Sequence, residues 1–458
     1  MKENRNRRFS DNQGKPLVAS KGFRKFDRSE HPVNQSHQPH FFRRREDFLD
    51  DDDFDDEEEQ GHYGKFRNFE KMNRRNESAG HGHGKVVRNI KPADVCVIAN
   101  FHSPTFSGRV GTSILAAGKE QHLSFAASER RSYSWQQNFE LPESVKKTLE
   151  QPDASKSRCY VSPLYNFGQE HVGPADTWVA GFDAINPDMG QLRRLQRAGL
   201  VLVPSQKHAD VCKQAGIKPQ NIKIAPLPVD KKIFNANAEC PAEFINKKGY
   251  FRIITSGNPL NRKGLEDVLV AYIKEFKPTD RIELIIKLTH LPKVKKDFAY
   301  EILDFRKKLG ALNSMFAKVT IIDRTLTDKE YAGLLASCDV FAAANVSFNS
   351  AINVREAVAC GLTVIGADYL PQIANLPMNS VIPVKTVEFD MPKGELYAES
   401  PVCKVRKLDA QGLGYAMRKA FNAKDSLRGR KAGVAASFHN TVTWEDIAKL
   451  VTPKKKEE

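Results

Sequence analysis

The residues best suited to chemistry lie in the second half of the chain, between Cys338 and Asp368. An apolar run at 340–344 leads into a small polar loop and then into a segment typical of a helix, which carries Glu356. Gly361 ends that segment before a second apolar run at 363–365. This order predicts a β-loop-α-turn-β unit. Its polar loop follows the carboxyl end of a strand, where open α/β sheets bind ligands.

Two other loops contain residue types that bind phosphate. The loop S-G-N-P-L-N-R-K-G-L ends with Arg262 and Lys263 just before a predicted helix, where cations and backbone amides hold anions. The loop S-G-R-V-G-T-S contains Gly108 and Gly111, which would let the backbone approach a phosphate or an acceptor. Structural alternatives stay open, because R-K-G also suits a solvated loop and a glutamate such as Glu356 also stabilises a helix start.

Apolar runs alternate with helical patterns along most of the chain, which predicts an α/β fold with two doubly wound parallel sheets. The predicted strands of the first sheet are 95–100, 123–127, 159–163, 177–182 and 200–204. Those of the second sheet are 251–257, 282–288, 319–322, 340–344 and 363–365. Helices are predicted to begin at Ser113 and to span 189–198 and 265–276. Two such sheets facing each other leave a cleft, the usual place for a shared substrate site.

The stretch at 200–234 resembles part of the family-four glycosyltransferases, which have two Rossmann-like domains in the GT-B arrangement. Those enzymes have a strand ending in V-P-S, a helix ending in A-G, and a P-x-G-V-D-x-x-x-F loop that leads to the linker. The matching residues are Pro204, Ser205, Gly216, Pro228, Asp230 and Phe234. The family's glutamate followed by A-x-A-x-G is also present, at 356–361.

The resemblance implies an enzyme that moves a sugar from a nucleotide-diphosphate sugar to an acceptor hydroxyl. It implies retention of configuration and no metal, with the nucleotide sugar as donor substrate and no other cofactor. It assigns Glu356 to the ribose hydroxyls. The implied donor-binding residues are Gly108, Gly111, Arg262, Lys263, Ser347, Asn349, Ser350 and Glu356.

Two positions depart from the family pattern. Asn258 stands where an arginine is expected, and Arg262 is a candidate to replace that charge. Phe348 stands where the first of two glutamates is expected, so neutral neighbours would have to meet the sugar hydroxyls. These departures keep open a second class of protein, which retains the fold but binds nucleic acid or a partner without catalysis.

The catalytic group depends on the stereochemistry of the reaction. Retaining enzymes of this family need no obvious side-chain nucleophile, since the departing phosphate assists the incoming hydroxyl. An inverting reaction needs a base within hydrogen-bond reach of the acceptor, and His102 and Asp183 are the candidates. No metal site is predicted, because His81 and His83 lack the further ligands of a zinc site.

Four parts are predicted along the chain. Residues 1–90 are predicted to be a disordered charged tail, because they hold few aliphatic residues and many charged ones. Residues 91–246 and 247–425 are predicted as the acceptor domain and the nucleotide-sugar domain, with a linker near 237–248. The resemblance implies that helices within 426–458 cross back to the first domain, before a short charged tail.

The charge of the chain predicts an anionic partner. Residues 1–90 hold 19 Lys and Arg against 17 Asp and Glu, or +2 of the total +15, which leaves 52 against 39, or +13, for the rest. Arg109, Arg130 and Arg131 in the first domain are the predicted acceptor-binding residues. DNA with a hydroxylated base, flipped out of the duplex, is one acceptor; a phosphorylated membrane lipid or a polysaccharide is the alternative.

The cysteines and the hydropathy of the chain predict a cytoplasmic protein. The seven cysteines form no C-x-x-C pair, and most lie in apolar segments, as reduced core residues do. No apolar run approaches the length of a membrane span, although a peripheral membrane contact stays open.

Overall fold

The structure is a computed structural model, and it describes residues 93–130, 140–150, 155, 157–163, 172–183, 185, 187, 189–257, 264–288, 317–345, 350–392 and 403–453. The tail predicted for residues 1–90 lies outside these described residues. Two six-stranded parallel sheets with helices form the described part. This confirms the predicted α/β fold with two doubly wound sheets.

The first sheet has the strand order β2-β1-β3-β4-β5-β6, and all its pairings are parallel. Its strands are β1 (Val95–Ala99), β2 (Phe125–Glu129), β3 (Arg158–Pro163), β4 (Thr177–Gly181), β5 (Leu200–Val203) and β6 (Ile222–Ile224). Its helices are α1 (Phe106–Glu120), α2 (Glu143–Leu149), α3 (Met189–Arg193) and α4 (Gln206–Gln214). The strand order reverses between β1 and β3, so ligands are expected beyond the carboxyl ends of those strands.

The second sheet has the strand order β12-β11-β10-β7-β8-β9, and it is also parallel throughout. Its strands are β7 (Phe251–Gly257), β8 (Ile282–Leu288), β9 (Lys318–Ile322), β10 (Val340–Ala343), β11 (Thr363–Ala367) and β12 (Val381–Val384). Its helices include α5 (Leu265–Glu275), α6 (Asp328–Ala336), α7 (Ile352–Ala359) and α8 (Leu370–Ala374). The order reverses between β7 and β10, which marks a ligand-binding edge there.

Most strands of the second sheet read as nearly continuous apolar runs because helices cover both faces of a parallel sheet. Every residue of β7, β8, β10 and β11 is buried. An antiparallel hairpin, β13 (Thr386–Met391) with β14 (Cys403–Leu408), follows β12. The sequence analysis predicted neither this hairpin nor β6 and β12.

The last three helices divide between the two sheets. They are α9 (Ala410–Asn422), α10 (Lys424–Ser437) and α11 (Trp444–Val451). Val434 of α10 and the following Phe438 pack in the core of the second sheet, whereas Ile447 and Val451 of α11 pack in the core of the first. The chain therefore crosses back to the first sheet between Phe438 and Trp444.

Two predicted helices differ from those observed. The first helix, α1, begins at Phe106, seven residues before the predicted start at Ser113. The predicted helix 189–198 is a short α-helix, α3, followed by a 3₁₀ turn at Arg194–Arg197. The first difference matters for the site, because it moves Gly108 and Gly111 from a loop into a helix.

Candidate functional site

The centre of the candidate site is an ion pair between the two sheets. Glu356 lies in the second turn of α7 and is 1% exposed. Arg109, in the first turn of α1, donates from Nη2 to Glu356 Oε1. The Nε atom of Arg109 is 3.2 Å from Asp328 Oδ1, at the start of α6. The pair therefore joins the helix that follows β1 to two helices of the second sheet.

Burial and charge act in opposite directions on this pair. Burial raises the pKa of Glu356 above its usual range, while the adjacent Arg109 acts to lower it. Burial alone would lower the pKa of Arg109, but the charges of Glu356 and Asp328 raise it above its ordinary value. Arg109 thus stays a cation. Its charge favours an ionised Glu356 in a place where burial disfavours one.

One carboxylate oxygen of Glu356 is unpaired within the described part of the chain. Among the described residues, Glu356 Oε2 has no hydrogen-bond partner, although it is fully buried. Buried polar atoms are normally paired, so an orphaned acceptor beside the edge between β7 and β10 indicates room for a donor from a ligand.

Hydroxyl and amide groups extend the site along the same edge. Ser256, near the end of β7, lies 3.0 Å through its Oγ from the hydroxyl of Tyr331 on α6. Asn353 of α7 donates to the same Oγ at 3.4 Å. The aromatic ring of Phe234 lies beside these groups. Its centroid is 5.8 Å from the Arg109 guanidinium and 6.4 Å from the ring centroid of Tyr331. Ser256, Tyr331 and Asn353 therefore form a polar strip that runs from β7 towards Glu356.

Local sequence explains why these helices start where they do. A capping box starts α6: Thr327 Oγ1 accepts from the backbone N–H of Glu330, and Glu330 accepts from the backbone N–H of Thr327. Gly264 precedes α5 with φ of 63°, and a Cβ there would lie 2.1 Å from the carbonyl oxygen of Ala344. Only glycine allows this approach, which brings the start of α5 against the end of β10.

A second polar pair lies at the carboxyl edge of the first sheet. His102, in the loop after β1, has its Nδ1 3.1 Å from Glu129 Oε2. The same carboxylate accepts from the backbone N–H of Phe101 at 3.1 Å. Burial raises the pKa of Glu129, and the contacts with His102 oppose that shift. Because an ionised carboxylate only accepts hydrogen bonds, His102 donates from Nδ1 to Glu129.

Gly108 and Gly111 lie within α1 and not in the loop that was predicted for them. Both are buried within α1, and a Cβ on Gly108 would lie 2.1 Å from the Ser103 carbonyl oxygen. A Cβ on Gly111 would lie 2.6 Å from the Cβ of Ala99. These glycines let α1 pack tightly on β1 and its loop. This packing positions Arg109, which lies between them in α1.

Replacing Gly108 by alanine should therefore destabilise the protein by about 1–3 kcal/mol, because the added methyl group would overlap backbone that cannot move independently. Gly429 in α10 is the matched control, since a Cβ there meets nothing within 4 Å. Its replacement should stabilise the protein by about 0.5–1 kcal/mol, as expected for an exposed helix position. Thermal unfolding of both variants measures the difference. Equal melting temperatures would contradict the packing role.

The other predicted site residues that the structure describes lie just after strands or just before a helix. Asp183, buried just after β4, accepts from the backbone N–H of Ile185 at 3.0 Å. Burial raises the pKa of Tyr369 to about 12, and the charge of Asp183 also raises it. Arg130 follows β2, and its backbone N–H donates to Ala99. Ser350 is buried before α7.

Five predicted site residues lie outside the described residues. They are Arg131, Arg262, Lys263, Ser347 and Asn349. Asn258 and Phe348, the two positions that depart from the family pattern, also lie outside the described residues. Asp328, Tyr331 and Glu129 were not predicted. Glu129 had a usable signal, because it ends a strand beside β1 and so faces the same edge as His102.

No cluster of three or more His, Cys, Asp or Glu residues suited to a metal ion occurs in the described part of the chain. Likewise, none of the helices described has the length and apolar character needed to span a membrane.

The fold resembles that of solved GT-B glycosyltransferases, whereas no protein-family model and no curated protein matches the sequence. Sucrose-phosphate synthase from Thermosynechococcus elongatus matches with a TM-score of 0.52 and 14% identity, over 79% of this chain and 97% of that chain. HepE from Anabaena, in complex with UDP and glucose, matches with a TM-score of 0.50 and 14% identity, over 78% and 99%.

A trehalose-6-phosphate synthase structure, from work on glycosyltransfer with retention, matches with a TM-score of 0.50 and 10% identity, over 79% and 100%. At these identities the likeness concerns the fold. It confirms the resemblance to GT-B glycosyltransferases at that level.

Proposed function

We propose that this protein is a glycosyltransferase that uses a nucleotide-diphosphate sugar as donor. The main support is the buried carboxylate of Glu356, beside the edge between β7 and β10, whose Oε2 has no hydrogen-bond partner among the described residues. A carboxylate accepts hydrogen bonds, and the hydroxyls of a ribose donate them. The fold shared with HepE, whose structure holds UDP and glucose, supports this assignment.

In this proposal Arg109 holds Glu356 in the position and the charge state that bind the donor. Arg109 binds Oε1, and Oε2 remains for the ribose, so donor binding does not require the ion pair to break. The cation also favours the ionised carboxylate, which is the form that accepts two hydrogen bonds. Arg109, predicted from sequence as an acceptor-binding residue, is thus proposed here as a positioning residue for the donor site.

We propose that the reaction retains configuration and needs no metal. The leaving diphosphate requires positive charge, and Arg262 and Lys263 precede α5 in the sequence, where a helix start adds backbone N–H groups. The resemblance in fold to trehalose-6-phosphate synthase supports retention.

An inverting reaction is the second candidate, and the His102–Glu129 pair favours it. A histidine that donates from Nδ1 to a carboxylate is held in the tautomer whose Nε2 accepts a proton from an acceptor hydroxyl. The anomeric configuration of the product, read by NMR, separates the two reactions.

Binding of nucleotide diphosphates tests the proposed donor. UDP or GDP should raise the melting temperature, because a ligand that binds only the folded protein stabilises it by about 2.7 kcal/mol at 100 times its Kd. Uridine and guanosine, which lack the diphosphate, should act far more weakly. If no nucleoside diphosphate among UDP, GDP, ADP and CDP raised the melting temperature, the donor proposal would be wrong.

We further propose an anionic acceptor that binds the first domain, with duplex DNA as the leading case. Residues 91–458 carry +13 of the net charge of +15, so DNA affinity should depend on them. The logarithm of the affinity should fall linearly with the logarithm of salt, by roughly 0.9 per phosphate neutralised. A protein lacking residues 1–90 should keep most of this binding in a mobility-shift titration at two salt concentrations.

The same titration decides against DNA if neither protein binds duplex at low salt. The acceptor would then be a phosphorylated lipid or a polysaccharide. Vesicles containing an anionic phospholipid, compared with neutral vesicles, separate these two alternatives.

A further inference from the structure

Lys287 is a buried cation at the carboxyl edge of the second sheet. It is the penultimate residue of β8 and is 8% exposed. In register it lies between Ser256 of β7 and Ile322 of β9. A lysine at such a depth is rare, because removing an ammonium group from water costs several kcal/mol unless it is paired.

Within the described part of the chain, Lys287 forms no ion pair. Among the described residues its ammonium forms one hydrogen bond, to the carbonyl oxygen of the adjacent Leu288, and no ion pair. Burial, with a smaller effect from nearby Arg324, lowers the pKa of Lys287 to about 8, while Asp323 acts weakly in the opposite direction. Buried charges in proteins are normally paired or bound to a ligand, so this one lacks its usual partner among the residues that the structure describes.

The position of Lys287 connects it to the candidate site. Neighbours in register on parallel strands point to the same face of a sheet, so Lys287 shares the face of Ser256. Ser256 contacts Tyr331 of α6 and Asn353 of α7 through its hydroxyl. The charges of Glu356 and Arg109 in turn affect the pKa of Tyr331. Lys287 is therefore at the far end of the polar strip that leads to Glu356.

We propose that Lys287 binds a phosphate group of the ligand that occupies this edge. An ammonium group buried at the ends of β7, β8 and β9, with two N–H donors that no described residue accepts, suits a phosphate oxygen. The phosphate belongs either to the diphosphate of the donor or to a phosphorylated acceptor. For the donor, this inference rests on the proposed function, and it adds a cation that the sequence motifs do not include.

Lys287→Met tests the inference through two quantities, the melting temperature of the ligand-free protein and its affinity for nucleotide, of which only the affinity should fall. Deleting an unpaired buried charge should leave the melting temperature of the ligand-free protein unchanged or raise it. The same variant should weaken binding of UDP or GDP, measured by calorimetry, by roughly 10- to 100-fold, as expected for a lost hydrogen bond to a charged group. Binding of uridine or guanosine should not change. Lys287→Arg should keep most of the affinity.

Lys318→Met is the matched control, because Lys318 begins β9 at the opposite edge of the sheet and pairs with Glu283. It should leave nucleotide affinity unchanged. Unchanged UDP and GDP affinity in Lys287→Met, with loss of stabilisation by glucose 6-phosphate, would assign the residue to a phosphorylated acceptor. Unchanged affinity for all of them would overturn the inference, as would a lower melting temperature of the ligand-free variant, which indicates a structural lysine.

An inorganic-phosphate arm keeps this inference distinct from the proposed function. At constant ionic strength, phosphate should raise the melting temperature of the wild type more than that of Lys287→Met. If the wild type binds no nucleotide but shows this difference, the donor proposal fails and the phosphate site stands. If phosphate acts equally on both proteins and no nucleotide affinity depends on Lys287, the inference fails.

Discussion

Replacing Arg109 by methionine should lower the free energy of unfolding by about 3–5 kcal/mol, which is the usual cost of breaking a buried ion pair by removing one partner. Glu356 is 1% exposed, and Arg109 is its only hydrogen-bond partner among the described residues. The variant would leave this carboxylate buried without a countercharge. Urea denaturation, followed by circular dichroism, measures the loss.

The loss should grow with pH. Burial already raises the pKa of Glu356, and removing Arg109 removes the charge that lowers it, so the pKa rises further in the variant. A group whose folded pKa is raised favours folding while it is protonated, below its unfolded pKa of about 4.3. That contribution is lost as pH increases through the folded pKa. The difference between variant and wild type should therefore be smaller at about pH 5 than at about pH 8.

Two controls separate the buried pair from a general effect of losing an arginine. Arg109→Met combined with Glu356→Met removes both charges and should recover much of the stability. Arg324→Met removes an exposed arginine that pairs with Glu243 and Glu330, and should cost less than about 1 kcal/mol. Similar losses from Arg109→Met and Arg324→Met would contradict the account of a buried pair.

Replacing Glu356 by glutamine should weaken binding of the nucleotide by roughly 10- to 100-fold, because a hydrogen bond to a charged group contributes about 1.5–3 kcal/mol. The substitution keeps the shape of the side chain and one acceptor oxygen, but removes the charge that Arg109 stabilises. Calorimetric titration with UDP and GDP measures the change. The effect should be smaller for an analogue that lacks the ribose hydroxyls, since Glu356 is proposed to bind them.

Glu275→Gln is the control for this substitution. Glu275 ends α5 and pairs with Arg418, with 2.8 Å between Oε1 and Nε, at the edge of the sheet opposite the site. Its replacement should leave nucleotide affinity unchanged. If the two glutamine variants bound nucleotide as tightly as the wild type, Glu356 would have no part in the donor site.

The sheets could be predicted because buried parallel strands read as apolar runs. The predicted limits of β8, 282–288, are those observed, and every residue of this strand is buried. Lys287 interrupts that run just before the strand ends. The sequence itself therefore marks this lysine as unusual, although it was not among the predicted site residues. Strands β6 and β12 were missed because they are short: β6 has three residues, with a lysine in the middle, and β12 has four, of which Pro383 is atypical of a strand.

The start of α1 could not be predicted from local preferences. The sequence S-P-T-F-S-G-R-V-G holds the proline, serine and glycine typical of a loop, and Thr105 makes no capping hydrogen bond through its side chain. Tertiary packing decides the outcome, since Gly108 and Gly111 fit against the loop and strand they follow.

The ion pair at the centre of the site also had no sequence signal. Arg109 and Glu356 are 247 residues apart, and each was assigned on its own to a different substrate. Only the packing of the helix after β1 against α6 and α7 brings them together with Asp328. The loops indicated each residue separately as a candidate, whereas the contact between them depends on the packing of two sheets.

Release of nucleoside diphosphate from a panel of nucleotide sugars tests the central claim most directly. Purified protein is incubated with radiolabelled UDP-, GDP-, ADP- and CDP-linked sugars, first alone and then with duplex DNA or anionic vesicles. The account predicts that one donor is turned over by the wild type, and that Glu356→Gln slows this turnover at least roughly 10-fold. Turnover of no donor under any condition, or equal turnover by wild type and Glu356→Gln, would contradict it.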